Sequence, residues 1–345
     1  VKKILIVKTS SLGDIIHCFQ AVSQLRNLNP EAELHWLVNK SFCDVVSLHP
    51  AVKKIIPFDR MRLSKVTYFF SEFLILRNSL KAEKYDLAID FQGLFRNAFF
   101  AWISGAKKIA GFEPPAESIS RIFYNTRVKS EKIHALEKNC ELVNAVFENK
   151  FIIPPFEIKN DVEAAESLKM LLRNHNLNFD RGSYMVVAPC GRWQSKNWPP
   201  SFFILVIEKI HRQYPDLPFI LVGAKDDQDV CSKIARNAGD YAINLAGKTN
   251  LRQLFELIKN ARTMLCVDSG PMHAAAALKI PVCALFGPTD PDRTGPYGSA
   301  NKVFQSGTCI KCFRRYCSQP KDTCHSALNP DEVAEFLIKK VGETK

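Results

Sequence analysis

Lys3-Ile4-Leu5-Ile6-Val7 runs straight into Lys8-Thr9-Ser10-Ser11-Leu12-Gly13-Asp14 and then into the apolar-periodic stretch Ile15 to Leu28. The short continuous apolar run reads as a buried strand, and the longer stretch with apolar residues at helical spacing reads as a helix. A strand that turns through small polar residues directly into a helix opens a βαβ unit. Such units build parallel sheets covered by helices on both faces.

The same alternation continues outward from this start. Glu33 to Val38, Lys54 to Phe58, Tyr85 to Asp90 and Lys107 to Ala110 read as strands, and the long apolar-rich run Val66 to Leu80 reads as a helix. Around Phe151 to Pro155 the pattern breaks at two consecutive prolines, the mark of a linker. It then restarts: Tyr184 to Ala188, Pro218 to Val222, Tyr241 to Asn244, Thr263 to Val267 and Pro281 to Phe286 read as strands, with Lys302 to Gln305 as an edge strand. A final helix spans about Pro330 to Val341, with Asn329 as its cap and Pro330 in its first turn. The expected organisation is an α/β protein with one doubly wound parallel-sheet domain over 1–155 and a second over 156–328. Residues 329–345 form a C-terminal helix that can return toward the first domain. Ligands of such sheets bind at the carboxyl ends of the strands, so a cleft between two facing domains is the expected site.

The length of 345 residues suits two domains of this kind. No apolar run approaches the roughly 20 residues of a membrane span, and Ile4 to Val7 is too short for a secretory signal. A cytoplasmic location is therefore expected. Lys and Arg number 47 against 35 Asp and Glu, a net charge of +12, which favours anionic partners. The aromatic residues are not interleaved with basic ones as in a nucleic-acid-binding sheet, so no nucleic acid is expected and a phosphorylated or carboxylated substrate near a membrane is.

Five loops at strand carboxyl ends hold the chemistry. The first, Lys8 to Asp14, lacks the glycine spacing of a dinucleotide fingerprint and the Gly-Lys-Ser/Thr of a phosphate loop, but carries the carboxylate of Asp14. That carboxylate suits a helix start as well as chemistry. In Val267-Asp268-Ser269-Gly270-Pro271-Met272-His273 a strand again opens a helix, whose N-terminal amides are suited to a diphosphate. There Asp268 can accept from sugar hydroxyls and His273 can reach a phosphate oxygen; a plain capped turn is the other reading. The third loop, Pro189 to Pro199, carries Arg192 and Lys196, cations able to neutralise a departing diphosphate, beside Trp193 and Trp198. Gly223-Ala224-Lys225-Asp226-Asp227 can hold ribose or base through a carboxylate, and Phe286 to Pro291 forms a rigid turn followed by Arg293.

These motifs resemble glycosyltransferase family 9, the ADP-heptose:lipopolysaccharide heptosyltransferases of GT-B fold, and within it the heptosyltransferase I type. The resemblance lies in Ile6 to His17, Tyr85 to Leu94, Phe123-Tyr124-Asn125, Lys196-Asn197-Trp198-Pro199, Asp268 to His273 and Phe286 to Pro291. It implies an inverting transfer with no catalytic metal and no required cofactor, with ADP-heptose as donor and the Kdo region of lipid A as acceptor. By resemblance Asp14 is the general base. Lys196, Arg192, Asp227, Asp268, Ser269, Gly270, Pro271 and His273 bind the donor, and Ser11, Gly13, Arg60, Arg62, Gln92 and Arg121 bind the acceptor. The enzyme would work peripherally on the cytoplasmic face of the inner membrane.

Lys53, Lys54, Arg60, Arg62 and Lys65 suit an acceptor rich in carboxylates and phosphates. After them Phe69, Phe70, Phe73 and Leu74 read as core, or else as a membrane-facing surface. A basic residue found in some type I enzymes before Glu117 is Ala116 here, with Arg121 close by. Of 11 cysteines, seven are scattered through the expected strands and helices, and most of these read as small core residues. The spacing Cys309-x₂-Cys312-x₄-Cys317-x₆-Cys324 is more like the heptosyltransferase II type and allows structural zinc, reduced packing or local disulfides. Other readings are a family 9 enzyme of type II or III with a different acceptor, or a non-catalytic nucleotide-sugar-binding protein.

Overall fold

The structure is a computed structural model that describes residues 1–306, 311–317 and 324–343. It divides into two compact units, Val1–Asn160 and Asp161–Lys345. The break falls five residues beyond the expected one because Asp161 belongs to the second unit. Its side chain caps the helix Val162–Arg173 through the Ala164 N–H at 3.1 Å and takes a two-pronged bond from Arg252 at 2.5 and 2.6 Å.

The first unit holds strands β1 (Lys3–Val7), β2 (Glu33–Asn39), β3 (Val52–Phe58), β4 (Leu87–Asp90), β5 (Lys108–Phe112) and β6 (Thr126–Val128). They form a parallel sheet in the order β3-β2-β1-β4-β5-β6. Leu5 of β1 stands between His35 and Ala88, and the strand is buried from Ile4 on. Central strands covered on both faces read as unbroken apolar runs, which is why β1 and β4 stand out in the sequence. At the edge, β3 turns Lys53, Lys54 and Pro57 outward, groups that discourage a further strand from pairing.

The second unit holds β7 (Met185–Ala188), β8 (Phe219–Leu221), β9 (Ala242–Asn244), β10 (Met264–Val267), β11 (Val282–Phe286) and β12 (Lys302–Gln305). Its sheet is also parallel, in the order β12-β11-β10-β7-β8-β9. Counted within each unit, both sheets have the doubly wound order 3-2-1-4-5-6, which reverses direction beside the first strand. The two switch points therefore lie between β1 and β4 and between β7 and β10.

Four local expectations change. The single helix expected over Ile15 to Leu28 is two, Leu12–Ile16 and Phe19–Leu28. At the junction the His17 carbonyl accepts a bond from Asn139 Nδ2 at 3.1 Å, a tertiary partner invisible in local periodicity. The β6 strand, three residues long with two polar side chains, offers no apolar run to read. The C-terminal helix, Pro330–Glu343, packs inside the second unit against the helix Pro200–Gln213, with Val333, Leu337 and Val341 buried beside Phe203, Val206 and Ile210. Finally, the helix Val66–Ala82 is mostly not core: only Leu76 and Leu80 are fully buried, while Val66, Phe70 and Ile75 are 85%, 71% and 65% exposed. No helix among the described residues is long and apolar enough to cross a membrane.

Candidate active site

At the first switch point the loop after β1 is clamped to the loop after β4. Buried Lys8 donates to the Phe91 carbonyl at 2.9 Å. The Gln92 side-chain oxygen accepts from the Thr9 N–H, the Thr9 hydroxyl and Asn97 Nδ2, while its amide donates to the Ser10 carbonyl at 2.7 Å. With both ends of its amide engaged, Gln92 holds the loop in place. The loop then delivers Asp14 to the third position of a helix whose cap is Ser11. Asp14 Oδ2 accepts from the Ser11 N–H at 2.9 Å and the Ser11 hydroxyl at 2.7 Å, and Oδ1 lies 3.8 Å from Lys8 Nζ. The side chain remains 40% exposed, so the carboxylate is anchored yet still meets solvent. Gly13 is buried in the same turn, and the Ser10–Ser11 peptide is cis.

Beneath this loop lies Asp90, fully buried at the end of β4. It accepts from the Gln92 and Gly93 N–H groups at 2.8 and 3.2 Å and from the Tyr124 hydroxyl at 2.6 Å. Burial pushes its pKa up to about 6 in spite of these donors.

The arginine acceptor candidates Arg60, Arg62 and Arg121 fall on two elements of this unit, the helix Arg60–Leu63 and the turn Ser118–Phe123. Arg60 and Arg62 lie on the short helix Arg60–Leu63, which Asp59 caps, and both are exposed. Arg62 pairs with Glu72 at 2.5 Å, and its guanidinium sits 5.1 Å from the Tyr68 ring centre. Arg121 is 3.1 Å from Glu113. A cation the sequence reading missed, Arg96, lies half-buried in the first turn of the helix Phe95–Ile103, its guanidinium 5.8 Å from the Phe58 ring centre. Its Nε is buried with no hydrogen-bond partner among the described residues. Burial first, and then the charge of Arg60, press its pKa down.

At the second switch point the loops after β7 and β10 meet in an ion pair. Lys196 Nζ is 2.6 Å from Asp268 Oδ2, with the two side chains 15% and 5% exposed. Asp268 also accepts from the Thr289 hydroxyl at 2.6 Å, and Lys196 lies 4.8 Å from the Trp193 ring centre. Gly191 permits this approach: a Cβ there would stand 3.0 Å from Lys196 Cβ and 3.2 Å from the Asp268 carbonyl oxygen. Ser269 caps the helix Gly270–Ala277, with Pro271 in its first turn and His273 buried one turn in. The Ser269 hydroxyl is buried with no hydrogen-bond partner among the described residues. This turn thus joins a lysine, an unengaged hydroxyl and helix N-terminal amides, the donor set an anion requires.

Arg192 is exposed on the same loop. Asp227 accepts from the Ala224 N–H at 2.7 Å and stands near Cys190, whose thiol is held up by a hydrogen bond with Cys231, by burial and by the Asp227 charge. His325, also absent from the sequence reading, is buried, and a Cβ on Gly287 would lie 2.5 Å from its Nε2. Burial lowers its pKa to about 4, and it feels the charges of both Asp268 and Lys196. Of the cysteine cluster, Cys309 lies outside the described residues, Cys312 and Cys317 are exposed, and Cys324 is buried. Among the described residues no group of three His, Cys, Asp or Glu is placed to hold a metal ion.

With this geometry established, comparison with known proteins identifies the family. The family model described as glycosyltransferase family 9 (heptosyltransferase) matches residues 73–322. The chain belongs to glycosyltransferase family 9. Lipopolysaccharide heptosyltransferase 1 of Pseudomonas aeruginosa is 28% identical over 97% of both chains. The Escherichia coli enzyme of the same name is 28% identical over 87% of this chain and 92% of its own. Among solved structures, E. coli heptosyltransferase WaaC with ADP matches with a TM-score of 0.79 and 25% identity over 98% of this chain and 99% of that one. E. coli ADP-heptose lps heptosyltransferase II, at 20% identity and a TM-score of 0.77 over 99% of each chain, shares the fold. This family 9 glycosyltransferase therefore has the GT-B architecture of two Rossmann-like domains.

Proposed function

We propose that this enzyme transfers heptose from ADP-heptose, with inversion, onto Kdo of the lipopolysaccharide inner core. The observation that carries the reading is the Lys196–Asp268 pair at 2.6 Å beside the open helix start at Ser269 and Gly270, in a chain of this family. Lys196 and the helix amides would meet the negative charge that builds on ADP as the bond to the sugar breaks. Asp268, engaged with Lys196 and Thr289, would act by holding the lysine at that spot, with His273, Arg192 and Asp227 completing the donor site. The solved structures of E. coli heptosyltransferase WaaC with ADP and with ADP-2-deoxy-2-fluoro heptose support this choice of donor.

Asp14 would act as general base, taking the proton of the acceptor hydroxyl as the anomeric carbon becomes electron-poor. A carboxylate anchored by Ser11 and still partly exposed suits that task. Arg60, Arg62, Arg96 and Arg121 would recognise the carboxylates and phosphates of the acceptor. The acceptor is lipid-borne, so the enzyme would work peripherally on the cytoplasmic face of the inner membrane. A heptosyltransferase II type acceptor is the second reading, favoured by 26% identity over 99% of this chain to lipooligosaccharide heptosyltransferase 2 of Haemophilus influenzae.

The test is release of ADP from ADP-heptose with Kdo–lipid A or with its already heptosylated form as acceptor. Turnover on Kdo–lipid A supports the proposal. Turnover restricted to the heptosylated acceptor moves the enzyme to the second type, and turnover with neither defeats both readings.

A further inference from the structure

The cysteine-rich stretch near the C-terminus is tied to the loops after β7 and β11. Its described part, residues 311–317, is fastened at two places. At one, the Phe313 N–H donates to the Pro288 carbonyl at 2.9 Å, and Lys311 pairs with Asp290 at 2.8 Å and Asp292 at 3.2 Å. At the other, buried Ser195 clasps it twice. The Ser195 N–H donates to the Arg315 carbonyl at 3.2 Å, and the Ser195 hydroxyl donates to the Arg314 carbonyl at 2.6 Å. Ser195 directly precedes Lys196 and Pro288 directly precedes Thr289, the two side-chain partners of Asp268. Residues 311–317 therefore strap together the two loops that hold the anion-binding turn.

The clasp brings a further cation to the ring that Lys196 already occupies. The Arg315 guanidinium lies 5.9 Å from the Trp193 ring centre, and Lys196 Nζ lies 4.8 Å from the same centre. An indole face attracts cations, and a guanidinium laid on a ring keeps its planar fork ordered for a phosphate. The carboxylates of the strap's other end do not reach this point. Asp290 and Asp292 are engaged by Lys311, and Arg293 stands beside them with its guanidinium 5.8 Å from the Phe313 ring centre. Lys196 is engaged by Asp268, while Arg315 is exposed and has no carboxylate at ion-pair distance among the described residues. Two cations on one ring repel each other until an anion arrives, so the arrangement favours a ligand of opposite sign.

We propose that Arg315 is a donor-binding residue, which the strap presents to the diphosphate of the nucleotide-sugar beside Lys196. The inference rests on the reading of the Lys196 turn as the ADP-heptose site, and it adds a cation from outside the strand-end loops. Calorimetry with ADP on the full chain tests it. At about 0.1 M salt Arg315→Gln should bind ADP about tenfold or more weakly than wild type, as for a lost charge-assisted contact. At about 1 M salt the screening length falls from about 10 Å to about 3 Å, and the gap between the two proteins should narrow.

Lys233→Gln removes an equal charge from an exposed position of the helix Gln228–Ala238 and should bind ADP as wild type does at both salt concentrations. Melting temperatures of all three proteins should agree, because both substituted side chains are exposed. Three results would overturn the proposal: Arg315→Gln that binds ADP as tightly as wild type, a loss of affinity that salt does not narrow, or an equal loss in Lys233→Gln. The second of these would mean that Arg315 acts only by packing on Trp193, and the third that net charge alone attracts the nucleotide. A wild-type chain that ignores ADP defeats the donor reading and the role of Arg315 with it. Wild-type binding with an unaffected Arg315→Gln defeats the role of Arg315 alone.

Discussion

The Lys196 ammonium and the Asp268 carboxylate meet at 2.6 Å between two loops of the second sheet, both largely shielded from water. A paired buried charge is costly to orphan, because the partner left behind keeps its desolvation penalty. Lys196→Ala should therefore harm both binding and folding. Stability should fall by about 3 kcal/mol, and ADP affinity should drop at least about tenfold, since a charge-assisted contact is worth roughly 1.5–3 kcal/mol. Thermal melting and calorimetry with ADP check the two effects. If Lys196→Ala binds ADP as tightly as wild type, the lysine is purely structural.

Asp14 separates chemistry from binding. Asp14→Asn keeps an oxygen able to accept from the Ser11 N–H, so the helix start should survive. The amide cannot take a proton, and kcat should fall about 10²–10⁴-fold. ADP affinity and melting temperature should stay near wild type. Steady-state ADP release measured beside calorimetry decides it, and a variant with wild-type kcat removes Asp14 from the reaction.

Asp90 gives a pH dependence with a defined sign. Burial raises its pKa in the fold to about 6, above the usual carboxylate value, so the native state holds the proton more tightly than the unfolded chain. Its contribution favours the fold at low pH and is lost as pH rises through about 6. The gap between that value and the ordinary aspartate value of roughly 4 corresponds to about 3 kcal/mol. Asp90→Asn keeps an acceptor for the Gln92 and Gly93 amides and cannot ionise. Relative to wild type, the variant should gain about 2–3 kcal/mol between roughly pH 4 and pH 7. Urea unfolding at both pH values measures this, and a flat difference would mean that burial does not raise the Asp90 pKa.

The arrangement of both sheets was legible because their central strands are covered on both faces and so appear as bare apolar runs, each ending in a polar loop. The Asp14, Lys196 and Asp268 loops were found by the same rule, since a doubly wound sheet gathers its chemistry at strand carboxyl ends. What stayed hidden depends on packing at a distance. Asp90 was read only as the end of a strand, and its hydroxyl donor Tyr124 comes from 34 residues away. The run after Val66 has the composition of a core helix, and nothing in its period states that the neighbouring elements leave that face open. The bonds of Gln92 to Thr9, Ser10 and Asn97 were equally hidden, because an amide is suited alike to bonding a sugar or a loop.

Arg96 was missed for the same reason: one arginine in Phe95-Arg96-Asn97 reads as a solvated helix position, and its half-burial comes from Phe58 and the packing around it. That burial is unfavourable for the fold alone, since the Nε has no partner among the described residues and Arg60 repels the same charge, which Glu117 offsets only in part. A cation kept where it destabilises the resting protein points to a task in the bound state. Arg96→Met removes the charge and retains an apolar stem over Phe58. Its melting temperature should be equal to wild type or higher, by about 1 kcal/mol in stability. The KM for the anionic acceptor should rise about tenfold or more, the value of a lost charge-assisted hydrogen bond, while ADP affinity stays unchanged. Acceptor kinetics and thermal melting on the same preparation test both halves. A destabilised variant with unaltered acceptor KM would show that Arg96 serves the fold and not the substrate.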